Sequence, residues 1–460
     1  MGVLIHHATI FTGNDQDGLL YDHAVAVHGN RICEVGPERG LKEKYANFNW
    51  IDGQGRLLMP GLINAHTHFY SAYARGLALS DPPRNFFDIL ARFWWKLDAA
   101  LDLEAVFYSA LTAAITGIKK GVTTMIDHHA SFHAIDGSLD RIEDALSRVG
   151  MRAALCFETS DRHGSRLADQ SLRENARYIE KCRQAKKENP HRLFDAMIGL
   201  HASFTLHNRT LERAYDLSCR YNKGFHIHLA EDAVDQQMTM KLTGESLFQR
   251  LSGRKILGPD TIAAHCVHLS DDDRRILIES RAMVVHAPQS NMNNAVGVTD
   301  ILPLMEKRAM VGIGTDGMSP DIKPDVRTAN LAHKHIRKDP RIGWDEVRRM
   351  TLKNNPEIYE RISGEKIGKI EPGYLADMIF IDYFPPTPLT SDNFWGHFLF
   401  GITDAEVSGS IINGTVVMEN GKLLHIDEAE VAARSRPVAK RVWEKFYNLP
   451  TLSSLSSLKK

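Results

Sequence analysis

The stretch MPGLINAHTHFY, residues 59–70, decides the fold. Here an apolar run follows a Pro-Gly pair and ends on His66 and His68. Side chains two apart on a strand project to one face, so both imidazoles can reach a single ion. Spacing alone is weak evidence. With 22 histidines in 460 residues, chance supplies roughly one HxH pair. The chain has three such pairs: His66/His68, His226/His228 and His333/His335. The last lies in DVRTANLAHKHIRKD (325–339), a helical pattern on which residues two apart diverge.

Working outward, residues 61–68 are the first of eight apolar runs. The others are 122–129, 151–158, 195–202, 225–231, 261–268, 282–289 and 310–317. Amphipathic stretches such as HAIDGSLDRIEDALSRVG and TLERAYDLSCRYNKG separate most of them, each long enough for a crossover helix. Eight strands alternating with helices predict an α/β fold, a (β/α)8 TIM barrel. The 69–120 connection is too long for one crossover. It predicts added helices over the mouth, formed by DPPRNFFDILARFWWKLDAAL (81–101). Both chain ends read as short strands with tight turns, notably Asn413-Gly414 and Asn420-Gly421. The expected division is a strand-rich part over 1–58, the barrel over 59–366 and a second strand-rich part over 367–430. A C-terminal helix and disordered tail follow over 431–460, the tail being TLSSLSSLKK.

Polar, reactive residues fall near the ends of the runs: His68, His128, Glu158, His201, His228, His265, His286 and Asp316. Barrel sites lie at the C-terminal ends of the strands, so this register points to one shared site. His228 is favoured as a ligand over His226 because it sits nearer its strand's end. Glu231, three residues on, is then placed to carry a proton. Asp316, between glycines in GIGTDG, can bind the ion and accept a proton from water. His265 remains to contact water or substrate. Imidazole donors suit zinc, with iron(II) or manganese as alternatives. A bound divalent ion lowers the pKa of its water to about 7, which makes hydrolysis the implied chemistry.

Composition narrows the partners. Lysine plus arginine number 56 against 57 acidic residues, a net charge of -1, with 43% hydrophobic residues. That balance calls for neither nucleic acid nor an anionic membrane, and predicts a small-molecule partner. Five scattered cysteines suggest free thiols. With no secretory signal pattern and no apolar run of membrane-spanning length, the expected location is cytoplasmic. No GxSxG elbow, Walker lysine loop or strand-following GxGxxG occurs, which leaves serine chemistry and nucleotide cofactors unsupported.

MPGLINAHTHFY, HIHLAE, TIAAHCVHLS, SNMNNAVG and GTDG together resemble the motifs of the amidohydrolase superfamily, over nearly the whole chain. Its cytosine deaminase, guanine deaminase and triazine hydrolase-like branches are the nearest, and the resemblance implies that the two ends, 1–58 and 367–430, form one split β-sandwich. IDHHASF, FETSDR, SNMNN and PPTPLTSDNFWGHFLFG (385–401) look most like SsnA-type aminohydrolases. The resemblance implies that His66, His68, His228 and Asp316 bind one divalent ion. It implies catalytic roles for Glu231, His265 and Asp316, with metal-bound hydroxide as nucleophile. His201 stands where two-metal relatives carry a lysine, which implies a mononuclear site. His201 is the substrate contact that the resemblance implies, while Arg75, in YARGLALS, matches a family RG element and either touches substrate or ties down the lid. His128, His129, Glu158 and Arg162 depart from the commoner pattern: they either shape a distinct substrate pocket, with His128 as a substrate contact, or serve as strand-end hydrogen-bonding residues.

The leading expectation is a deaminase that hydrolyses a C–N bond of a purine- or pyrimidine-like heterocycle. Ring opening of a cyclic amide or amidine, and dechlorination of a triazine, are the alternatives on the same site. A non-catalytic scaffold would lack metal ligands, and this chain has the full set. Relatives of this kind extend to homodimers and higher homo-oligomers.

Overall fold

The computed structural model describes residues 2–14, 18–189 and 191–451; the tail assigned to disorder above lies, from residue 452 on, outside them. Each of the eight apolar runs forms a parallel strand among the described residues. They are Leu62–Thr67, Val122–Asp127, Arg152–Leu155, Phe194–Ala196 continued by Ile198–Leu200, Phe225–Leu229, Ile262–His265, Met283–His286 and Val311–Ile313. The fourth run is interrupted at Met197, and its halves pair with different neighbours. Phe194–Ala196 pairs with the third strand and Ile198–Leu200 with the fifth. All of these strands are buried along their length, as parallel strands covered by helices on the outer face must be.

The last strand returns to the first. The N–H groups of Thr315 and Asp316 donate to the His66 carbonyl at 2.9 and 3.0 Å. The buried Asn355 amide also spans the seam, donating to the carbonyls of Ile63 and Ile313 at 2.6 and 2.8 Å. Gly314 allows this approach, because a Cβ there would stand 2.7 Å from the His66 carbonyl oxygen. The accidental HxH pair lies, as expected, on a helix, Lys323–Arg337.

The chain ends build two further sheets. One contains Arg31–Pro37, His23–His28, Gly2–His6 and Asn49–Asp52. The other runs from Lys422–Leu423 through Met378–Ile381 to Leu57–Pro60 and Thr9–Phe11, so it mixes residues from both ends. Ile5, Val25 and Ile32 of the first pack with Leu58, Met378 and Phe380 of the second. At Asn413-Gly414 and Asn420-Gly421 all four residues have φ between 49° and 74°, the geometry that two-residue hairpin turns require. The C-terminal helix, Glu428–Asn448, starts three residues before the expected position, because the Asp427 carboxylate caps the amides of Ala429 and Glu430.

The long connection after His68 forms the helical turns Phe86–Ile89, Leu90–Trp94 and Trp95–Ala100, then the helix Leu103–Lys119. Phe86, Leu90 and Trp95 pack against Ala202 and Phe204 at the end of the fourth strand, so these turns cover the strand ends. The C-terminal helix braces the connection: Trp443 donates to the Tyr73 carbonyl at 2.8 Å. No single helix among the described residues is long and apolar enough to cross a membrane. All five cysteines are free, three of them buried.

Candidate active site

The strand ends gather a cluster of imidazoles. Asp316 Oδ1 stands 2.9 Å from His68 Nε2 and 3.3 Å from His66 Nε2, and His228 Nε2 is 3.2 Å from His68 Nε2. Donor atoms of His66, His228, His265 and Asp316 lie within 4.8 Å of one another. Behind the cluster each ring is held at its other nitrogen. His66 Nδ1 pairs with His226 Nε2 at 2.8 Å, His68 Nδ1 donates to the His128 carbonyl at 2.5 Å, and His228 Nδ1 donates to the His201 carbonyl at 3.0 Å. Such contacts fix ring orientation and leave the Nε2 lone pairs convergent. His66 Nε2 is buried without a hydrogen-bond partner. Three imidazole nitrogens and one carboxylate oxygen at these separations fit a divalent ion, and an ion would satisfy the orphaned nitrogen. The predicted ligands are therefore brought together, and His226 stands behind His66, as its position further from the strand end suggested.

Charge in this buried cluster is uneven. Burial lowers His66 to about 3, against the pull of Asp316. Burial also disfavours the His68 cation, but the Asp316 carboxylate more than offsets it, and His68 rises to about 9. Asp316 itself is held well below the usual carboxylate range, because the imidazole contacts outweigh its burial.

Glu231 follows the fifth strand, beyond Ala230, whose left-handed backbone (φ 48°) is fixed by its amide donating to Asp235 at 2.9 Å. Burial, reinforced by nearby Asp316, drives the Glu231 carboxyl well above its ordinary pKa. Its Oε2 lies 3.5 Å from His265 Nε2, and its Oε1 accepts from the Asn294 amide at 3.2 Å. The cavity above is lined by His68, His228, Glu231 and Asp316 on one side and by Phe86, Leu90, Trp94 and Trp95 on the other. His201 also lines it, with Nδ1 2.7 Å from the Thr205 hydroxyl. That hydroxyl donates to the Ala202 carbonyl, so the His201 proton sits on Nδ1.

Two of the residues expected to contact substrate do not line this cavity. Arg75 is exposed at the end of the turn Phe69–Ala74 and does not reach the cavity, because the chain leaves the strand end before it. His128 is fully buried beneath the floor: its Nε2 faces the carbonyls of Leu200 and His226, and its Nδ1 faces Glu158 at 3.4 Å.

The profile of the amidohydrolase family matches residues 57–417. The chain belongs to the amidohydrolase family. Like other amidohydrolases, it is a hydrolase acting on carbon–nitrogen bonds other than peptide bonds. A 5-methylthioadenosine/S-adenosylhomocysteine deaminase of Pelotomaculum thermopropionicum is 29% identical to this amidohydrolase over 445 residues, 96% of this chain and 98% of that one. A 5'-deoxyadenosine deaminase of Methanocaldococcus jannaschii is 30% identical over 413 residues, 88% and 93% of the two chains. The fold resembles that of an adenosine deaminase from Xanthomonas campestris crystallised with zinc, at a TM-score of 0.83 and 23% identity, covering 96% and 98%. It also resembles atrazine chlorohydrolase TrzN from Arthrobacter aurescens TC1 complexed with zinc, at 0.80 and 20%, covering 95% and 100%.

In this amidohydrolase, Glu158 and Arg162 form a buried ion cluster with Asp98. Arg162 Nη1 donates to Glu158 at 2.6 Å and Nη2 donates to Asp98, while Phe132 stacks 4.2 Å below the guanidinium. Burial would raise Glu158, but His201, Arg162 and His128 hold it well below the usual carboxylate range. Burial lifts Asp98 to about 8 despite Arg162. Glu158 and Asp98 both line the cavity. Asp98, Trp94 and Asn294 were not singled out from sequence. The one signal for Asp98 was its place in the connection expected over the mouth; for Asn294, its place in SNMNN.

Proposed function

We propose that this amidohydrolase is a deaminase that replaces the exocyclic amino group of an aminopurine, carried on a nucleoside-like molecule, with oxygen. The observation that carries the reading is Glu231: a buried carboxyl of raised pKa, 3.5 Å from His265 and facing the same cavity as the ligand cluster. Its deaminase relatives, both named for adenine compounds, support the substrate class.

His66, His68, His228 and Asp316, joined by the contacts of Asp316 Oδ1 to His66 and His68 and of His68 to His228, would hold one ion, with zinc favoured by the donor set and by the zinc-bound structural neighbours. When bound, the ion supplies Lewis acidity and a water more acidic than bulk. Glu231, protonated before reaction, donates to the ring nitrogen beside the amino-bearing carbon, making that carbon electrophilic. Asp316 accepts a proton from the attacking water. His265 orients that water through Nε2. A C–O bond forms, the C–N bond breaks with the proton passed to nitrogen, and ammonia leaves as a ring carbonyl remains. The wall of Phe86, Leu90, Trp94 and Trp95 excludes bulk water, which strengthens each of these electrostatic contacts.

We read the architecture as a closed (β/α)8 barrel over 59–366 flanked by a β-sandwich from 1–58 and 367–430, with the site at the barrel's C-terminal mouth.

The test is incubation of the zinc-loaded protein with adenosine, 5'-deoxyadenosine and 5-methylthioadenosine. Ammonia release together with conversion of the adenine to the hypoxanthine chromophore is expected. Glu231→Gln should lower kcat about 10²–10⁴-fold with zinc content unchanged. Loss of ring absorbance without ammonia would replace deamination by ring opening.

A further inference from the structure

The short helix Pro288–Asn293 follows the seventh strand, and no residue of it is among the ligands or proton carriers above. Yet this helix and the residue after it contact all three proton-handling groups. Ser290 Oγ donates to Asp316 Oδ2. The Asn291 amide meets His265 Nδ1 at 2.9 Å, and the Asn294 amide donates to Glu231 Oε1 at 3.2 Å. Three residues within one turn and a half thus reach the ends of the fifth, sixth and eighth strands. Ordinary packing of a crossover helix does not require three such polar contacts.

We infer that Ser290, Asn291 and Asn294 are positioning residues, a single rigid element that aligns Asp316, His265 and Glu231 for proton transfer. The inference rests on the deaminase reading for the roles of those three groups.

Each contact has a distinct consequence. Ser290 occupies Asp316 Oδ2, which leaves Oδ1 turned to the Nε2 atoms of His66 and His68. Asn291 donates to His265 Nδ1, so the proton of the neutral ring lies on Nε2, the nitrogen directed at Glu231. Asn294 takes up Glu231 Oε1, which leaves Oε2 to carry the acid proton. Because the three donors share one helix, tilting it would misalign all three groups together. The helix is itself anchored from outside the site: the backbone N–H of Gln289 donates to the buried carboxyl of Asp325 at 3.0 Å. Pro at its first position suits a helix start.

The test uses the full chain loaded with zinc, and the variants Asn294→Ala, Asn291→Ala and Ser290→Ala. Contacts of this kind are worth about 10–100-fold in activity or metal affinity. Asn294→Ala and Asn291→Ala should lower kcat by that factor on any compound the wild type turns over. KM should stay within about threefold, and the solvent deuterium isotope effect on kcat should rise, as proton transfer becomes slower. Ser290→Ala should weaken zinc binding about 10–100-fold in competition with a chelator, and Ser290→Thr should restore it. That second measurement needs no turnover. Wild-type zinc affinity in Ser290→Ala, or an Asn294→Ala variant with unchanged kcat and isotope effect, would overturn the inference. A wild type that turns over no aminopurine overturns the deaminase reading alone, because the chelator competition still decides the positioning role of Ser290.

Discussion

The Nε2 atoms of His68 and His228 face each other at 3.2 Å, while the Nδ1 of each ring donates to a backbone carbonyl. A carbonyl can only accept, so both Nδ1 atoms carry protons. Two lone pairs would then confront each other unless a cation lies between or beside them. Without metal that cation is a proton on His68, whose pKa stands near 9 because Asp316 outweighs its burial.

Metal binding must therefore displace a proton. At neutral pH, calorimetry in buffers of different ionisation enthalpy should show release of about one proton per zinc bound. Apparent affinity should rise about tenfold per pH unit up to pH 9 and level off above it. Zinc at a thousand times its dissociation constant should add about 4 kcal/mol to stability, read as a rise in Tm that a chelator reverses.

Arg162 is the cation of the buried Glu158 carboxylate and also holds the carboxyl of Asp98, which burial lifts to about 8. Replacing Arg162 with methionine keeps the packing against Phe132 but leaves the Glu158 carboxylate buried without its cation. Removing one side of a buried pair costs about 3–5 kcal/mol. Arg162→Met should lower the urea midpoint accordingly, and adding Glu158→Gln should recover part of the loss. Equal midpoints for wild type and Arg162→Met would show that the cluster contributes no stability.

Asp325 gives a pH dependence of opposite sign to that of a paired surface carboxylate. Burial lifts its pKa to about 8, with Asp316 adding to the shift. The folded state thus keeps this proton where the unfolded state, near 3.8, has lost it. Stability from this group is complete below pH 4 and falls as pH rises towards 8. Asp325→Asn retains an oxygen to accept from the Gln289 amide and cannot ionise. It should flatten the decline in Tm between pH 5 and 8, and the two proteins should differ most at pH 8.

Gly317 follows Asp316, and a Cβ there would stand 2.9 Å from the Trp94 ring. Gly317→Ala should therefore displace Trp94 from the cavity wall. We expect KM to rise several-fold, on the scale of about 1 kcal/mol of lost apolar contact, with zinc content unchanged. An unchanged KM would mean that Trp94 does not bear on the substrate.

Much of the site was legible because strands repeat every two residues and end where barrels place chemistry. That rule selected His66, His68 and Asp316 and discarded His333 and His335, which the helix Lys323–Arg337 points apart. The same rule also takes in His128, whose place it does not describe. It ends a run like the others, but its ring turns down towards the Leu200 carbonyl. Arg75 was carried by a motif alone, and a motif does not say which way a turn faces. Asp98 and Asn294 reach the cavity from a connection and a helix with no simple period relative to the strands, and pairing across 64 residues, as between Asp98 and Arg162, leaves no local trace.

The seam between the first and eighth strands has a consequence for synthesis on the ribosome. His66 emerges early, but the carboxylate beside it arrives only after another 250 residues have been translated, and Asn355, which locks the two strands, comes later still. A nascent chain therefore presents its exposed histidines to the cell long before they can hold an ion in the right geometry. With the proposed ligand set, metal loading waits for the polypeptide to be nearly whole, so a chain stalled or cut before residue 316 would carry three of the four proposed ligands and lack the carboxylate.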